Sequence, residues 1–173
     1  MKTKYGPNAQ LLFTDTDSFC YVISTEDVYQ DMIKDKYLFD TSEYDQEHPL
    51  YSTENKKILG EMKDDTHGIP IQEFAGLKSK MYSMIYEEDG KLTEKKTAKG
   101  IKKSVIKHHT KLDHYKECLF DRTVHLSSMN PIRSYDRQLY NITINKLGLS
   151  PFDDKRYILD DGISRLAYGH WRI

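Results

Sequence analysis

A chain of 173 residues with 38% hydrophobic and 31% charged content is globular but wet, long enough for one domain or one and a half. No stretch approaches the ~20 apolar residues of a membrane span. No secretory leader is expected after Met1-Lys2-Thr3-Lys4, and Cys20 and Cys118 suit neither a disulfide scaffold nor a zinc site, so a reduced intracellular setting is expected. The net charge of −1 excludes bulk charge as a driver of nucleic-acid binding, but it hides two opposed blocks. Glu26 to Glu54 carries nine acids and two lysines, and Lys91 to Lys116 nine lysines and two acids. The basic block is either a solvated face or a phosphate contact.

In chain order, residues 1–9 read as a polar loop punctuated by Gly6-Pro7-Asn8. Gln10–Phe13 and Phe19–Ile23 are apolar, β-branched and aromatic runs around a short polar centre, the pattern of a β-hairpin. That centre holds Asp15 and Asp17. Residues two apart in extended chain share a face, so both carboxylates can point the same way from the tip. Such a pair either raises its own pKa values or takes up a hard cation. A turn can also use Asp to cap its own backbone, and spacing leaves both readings open. The apolar flanks predict a tip held rigidly on a buried sheet.

Thr25 can cap a helix over residues 26–35, with Val28, Met32 and Ile33 at helical spacing. Residues 37–56 lack a period. Their Asp40, Glu43, Asp45, Glu47 and His48 match no common metal spacing, and a mobile acidic loop is expected. Lys57–Lys63 reads as a short strand, 64–68 as a turn, and Ile69–Leu77 as a strand with Pro70 at its start or on an edge. A strand over Ser79–Tyr86 follows, then an Asp89-Gly90 turn and a returning strand over Leu92–Ala98. On the Ser79–Tyr86 strand Lys80, Tyr82, Met84 and Tyr86 would share a face. Lys80 beside Tyr82 offers a cation for phosphate and a ring for a sugar or base. Alternatively Tyr82 packs and the Lys80 stem lies along it.

Residues 101–109 and 112–120 read as two short helices. His108 and His109 are adjacent and point to different sides, so no metal is expected there. Thr123–Met129 and Gln138–Leu149 have β character, with Tyr140, Ile142, Ile144 and Lys146 on one face. Asp153-Asp154 reads as a helix or turn cap.

Three segments carry a family resemblance. Leu12-Phe13-Thr14-Asp15-Thr16-Asp17-Ser18 resembles motif C of family B DNA polymerases, usually written Tyr-x-Asp-Thr-Asp-Ser, with Phe13 in the tyrosine position. Phe74-Ala75-Gly76-Leu77-Lys78-Ser79-Lys80-Met81-Tyr82-Ser83 resembles the Lys-x-Tyr segment of the protein-primed members. Asn145–Ser150 with Asp153–Tyr157 is similar to the C-terminal part of the transposon- and virus-type members.

The resemblance implies an α+β chain: an antiparallel palm-type sheet with the motif C hairpin and packed helices over residues 1–100, then a β-rich thumb-like region over 101–173. It implies Asp17 as principal and Asp15 as supporting catalytic ligand of Mg²⁺, and Lys80 and Tyr82 as contacts to the DNA primer end. The partners implied are primer–template DNA, deoxynucleoside triphosphates and a terminal priming protein, with no membrane. Motifs A and B and an exonuclease domain have no match. The expectation is therefore a C-terminal polymerase fragment that is inactive alone. A non-catalytic DNA-binding remnant using Lys80, Tyr82 and the lysine block is the alternative. A structural protein with Asp15 and Asp17 as turn caps is a third reading.

Overall fold

A computed structural model describes residues 1–15, 17–152, 156–160, 164–167 and 169–173. The chain divides into two compact units, Met1–Glu73 with Ile85–Thr93, and Phe74–Met84 with Glu94–Ile173. Helix and sheet are mixed, and the sheets are small.

The first unit opens with a helical turn, α1 (Lys2–Tyr5), and a 3₁₀ turn over Gly6–Asn8, where a loop was expected. Strands β1 (Ala9–Asp15) and β2 (Ser18–Ile23) form the expected antiparallel hairpin, from Ala9 opposite Ile23 to Asp15 opposite Ser18. The expectation of a buried sheet beneath it is corrected. The sheet has two strands, none of its described residues is buried, and Leu11, Leu12, Phe19 and Val22 are exposed. Apolar residues run consecutively along both strands, so both faces of the ribbon are apolar, and two strands alone cannot cover either.

Helix α2 (Val28–Lys34) is capped by Asp27, not Thr25: the Asp27 carboxylate accepts from Tyr29 N–H at 2.9 Å and Gln30 N–H at 3.1 Å. The Thr25 hydroxyl donates instead to Asp31 at 2.8 Å. The acidic stretch beyond it is not a free loop. Asp40 accepts from Ser42 N–H (3.0 Å) and Lys57 N–H (3.1 Å), and Asp45 from Glu47 N–H (2.8 Å). These carboxylates fold the chain locally as side-chain turns, which leave no periodicity to read. The turns bury Tyr44 and Leu50 with Thr41 and Thr66. Of the strand expected over Lys57–Lys63, only Met62–Lys63 is extended. It forms β4, parallel to β3 (Phe39–Asp40). Lys57 and Gly60 at φ 61° and 97° break the remainder into turns.

The Ser42 hydroxyl, with the Lys57 and Ser42 amides, holds the Asp40 carboxyl below its ordinary 3.8. A lowered folded-state pKa gives stability that is full above 3.8 and is lost as pH falls through the lower, folded value. Asp40→Asn is therefore expected to lower the melting temperature at pH 7 and to flatten the loss below pH 4. Melting curves from pH 7 to pH 3 check this; parallel curves for both proteins would contradict it.

Three eight-residue strands follow, β5 (Ile71–Lys78), β6 (Met81–Glu88) and β7 (Lys91–Ala98), in the order β5-β6-β7. Two-residue connections make them an antiparallel meander. The division between the units falls within these strands. Asp89 (φ 51°) and Gly90 (φ 71°) form the expected turn. The strand expected over Ser79–Tyr86 starts two residues later, because Ser79 and Lys80 are themselves a turn.

In the second unit, α3 (Lys103–His109) and α4 (Leu112–Phe120) lie where they are expected. Leu112, Tyr115 and Cys118 recur every three residues and form the buried face of α4. Strand β8 (His125–Met129) pairs antiparallel with β11 (Ile144–Leu149). A Cβ at Gly148 would lie 2.3 Å from Ser127 Oγ and 3.2 Å from the His125 carbonyl, so close strand approach requires the glycine. Between them stands a separate hairpin, β9 (Ile132–Tyr135) and β10 (Gln138–Asn141). The single β stretch expected over Gln138–Leu149 is thus broken at Ile142-Thr143, and Tyr140 does not share a continuous pleat with Ile144. Strands β12 (Arg156–Ile158) and β13 (Arg165–Ala167) form a further antiparallel pair. Asp153, Asp154 and Lys155 lie outside the described residues. No described helix is long and apolar enough to cross a membrane.

Candidate functional site

The β1–β2 tip is held by its own main chain. The Asp15 carbonyl accepts from Asp17 N–H at 2.8 Å and from the Ser18 hydroxyl at 3.1 Å. Asp15 is the half-buried last residue of β1, Asp17 is an exposed turn residue, and Thr16 lies outside the described residues. The expectation that strand alternation aligns the two carboxylates is corrected: Asp17 is in the turn, so the pleat does not set its direction. Both side chains are hard oxygen donors, which fits Mg²⁺ in donor chemistry. They supply two groups of the six that octahedral Mg²⁺ takes, and the cation habitually keeps several waters. Among the described residues, no three His, Cys, Asp or Glu side chains gather into a group that could hold a metal.

Lys80 and Tyr82 lie at one end of β6 in the second unit; Asp15 and Asp17 belong to the first. Lys80 is exposed in the β5–β6 turn at φ 59°, and its carbonyl accepts from Lys99 N–H at 3.0 Å. Tyr82 is half-buried and stacks on Phe74, with ring centroids 5.8 Å apart and planes at 27°. The two therefore do not alternate along one pleat. Lys80 is an exposed turn residue, and the Tyr82 ring is stacked on that of Phe74.

Part of the lysine block is structural. Lys96, mostly covered, pairs with Glu94 at 2.9 Å and donates to the Thr110 carbonyl, while Glu94 also accepts from the buried Ser83 hydroxyl at 3.0 Å. Lys102 donates to the Asn130 carbonyl, and Lys146 to that of Gly100 at 3.2 Å. Lys78 donates to the Phe152 carbonyl at 2.8 Å. Lys99, Lys103 and Lys107 are exposed and leave positive charge on this unit's surface. The Lys96–Glu94–Ser83 chain, which ends on a buried hydroxyl, was not anticipated. Its one sequence signal is Glu94, an acid set among lysines on a strand.

No protein-family model, curated protein or solved structure matches the chain.

Proposed function

We propose that this chain is the palm-end and thumb portion of a protein-primed family B DNA polymerase. The observation that supports it is the Asp15-Thr16-Asp17-Ser18 sequence at the turn of an antiparallel hairpin, with Asp15 opposite Ser18. Asp17 and Asp15 would hold Mg²⁺. The ion would supply charge stabilisation for the α-phosphate and the leaving pyrophosphate in nucleotidyl transfer. Lys80 would contact a phosphate near the primer end, and Tyr82 a sugar or base. Two carboxylates hold Mg²⁺ weakly, so the isolated chain is not expected to extend a primer. Extension by the wild type but not by Asp17→Asn would show that the chain completes the site itself.

DNA binding without catalysis is the second reading. It is favoured by the exposed Lys80, Lys99, Lys103 and Lys107. Both readings predict that Lys80→Ala weakens primer–template binding and lowers the salt slope by about 1, as expected for one lost phosphate contact. Tyr82→Phe keeps the Phe74 stack and is expected to bind nearly as the wild type. Fluorescence anisotropy against salt concentration measures both, and an unchanged slope for Lys80→Ala counts against either reading.

A further inference from the structure

Among the described residues of the second unit, the β9–β10 hairpin is the most exposed element. All eight of its strand residues are exposed, including Tyr135 at 77%, Leu139 at 76% and Ile132 at 71%. Asp136 (φ 45°) and Arg137 (φ 61°) form its two-residue turn. The register is Tyr135 opposite Gln138, Ser134 opposite Leu139, Arg133 opposite Tyr140 and Ile132 opposite Asn141. Opposite residues share a face and successive pairs alternate faces. One face therefore carries Tyr135, Gln138, Arg133 and Tyr140, and the other carries Ser134, Leu139, Ile132 and Asn141.

The first face has two rings, a guanidinium and no acid. The Tyr140 hydroxyl donates to the Gln138 side-chain oxygen at 2.7 Å, which steadies that ring on the strand. An exposed tyrosine ring costs little conformational freedom and presents a flat surface on which any base can stack. Arg133 lies between the rings in the pattern, and Arg137 adds a second cation at the turn.

We propose that this face binds single-stranded nucleic acid, with bases on Tyr135 and Tyr140 and phosphates on Arg133 and Arg137. A duplex presents its backbone and groove edges, and its bases stay stacked on one another. Two outward rings beside a cation suit unstacked bases instead. The inference stands on the hairpin alone and does not depend on the Asp15–Asp17 pair.

The test is anisotropy of a labelled oligodeoxythymidine and of a duplex of equal length, in EDTA so that no metal takes part. The wild type is expected to bind the single strand more tightly than the duplex. Tyr135→Ala with Tyr140→Ala is expected to weaken single-strand binding by at least about fivefold. Tyr135→Phe with Tyr140→Phe keeps both rings and is expected to bind as the wild type. Arg133→Ala is expected to reduce the salt slope by about 0.7. Melting temperatures of these surface variants should match the wild type, so that loss of binding reads the face and not the fold. The proposal is overturned if the wild type does not bind the single strand, if it prefers the duplex, or if the alanine pair binds unchanged. A dimer that the alanine pair dissociates without changing oligonucleotide affinity would assign the face to a second copy of the chain.

Discussion

Tyr115→Ala is expected to destabilise the second unit by about 3–5 kcal/mol, the usual cost of deleting a large buried aromatic side chain. Tyr115 is fully buried in the middle of α4, and its hydroxyl donates to the Thr97 carbonyl on β7 at 2.9 Å. Burial raises the phenol pKa, and the nearby Glu94 carboxylate raises it further, so the hydroxyl remains a donor at any ordinary pH. Deleting the side chain opens a cavity and leaves a carbonyl without this partner. Against a total stability of about 5–15 kcal/mol for a native protein, that is a large share. Tyr115→Phe keeps the ring and loses one hydrogen bond, so about 1 kcal/mol is expected. Urea unfolding measures both. Because Tyr115 ties α4 to β7, in the sheet that carries Tyr82, the alanine variant should lose DNA affinity along with stability, and the phenylalanine variant should retain it. Equal losses for the two variants would mean that the hydrogen bond, not the ring, holds α4 to the sheet.

Asp64→Ala is expected to cost the first unit about 2–4 kcal/mol, through buried donors left without partners. One carboxylate organises the whole turn after β4. Its Oδ1 accepts from Thr66 N–H at 2.9 Å and from the Thr66 hydroxyl at 2.8 Å. Its Oδ2 accepts from Gly68 N–H and from the Tyr44 hydroxyl, each at 2.9 Å. Tyr44 and Thr66 are both buried. Burial, and then the negative charge of Asp64, raise the Tyr44 phenol pKa and keep its proton in place to donate. Gly68 has φ 87°, and a Cβ there would sit 3.0 Å from the Tyr44 ring, so the turn also depends on that glycine. Asp64→Asn keeps one carbonyl oxygen and should fall between the wild type and the alanine variant. Thermal unfolding of the three proteins, with limited proteolysis to locate the loosened segment, measures the effect. Similar melting temperatures for all three would remove Asp64 from this role.

The sequence was legible where a local rule acts alone. Asp89-Gly90 marked its turn between two strands, and the two short helices were readable over 101–109 and 112–120. The hairpin around Asp15 and Asp17 was readable from its apolar flanks. Its surroundings were not, because consecutive apolar residues say that a strand is apolar on both sides without saying what covers it. Residues 37–56 looked irregular because their order comes from carboxylates bonding to amides two residues on, and across to Lys57, which leaves no periodic trace. The Ser79–Lys80 turn was hidden for a different reason. Lysine is an uncommon residue at positive φ, so a strand reading ran through it. At the candidate site, residue types and spacing left both a cation site and a turn cap open for Asp15 and Asp17. The direction of each side chain was beyond a pattern argument, since a turn separates them.

The carboxylate pair is the centre of the account, and Mn²⁺ is the most direct probe of it. Mn²⁺ takes the same hard oxygen ligands as Mg²⁺ and broadens nearby amide resonances even when it binds weakly. In a titration of the isotopically labelled chain with primer–template DNA present, broadening is expected first at the amides of Asp15, Asp17 and Ser18. Asp17→Asn should remove it there and leave the rest of the spectrum unchanged. Broadening that begins elsewhere, or that persists at the tip in Asp17→Asn, would contradict a metal-binding role for the hairpin and leave Asp15 and Asp17 as residues of a turn.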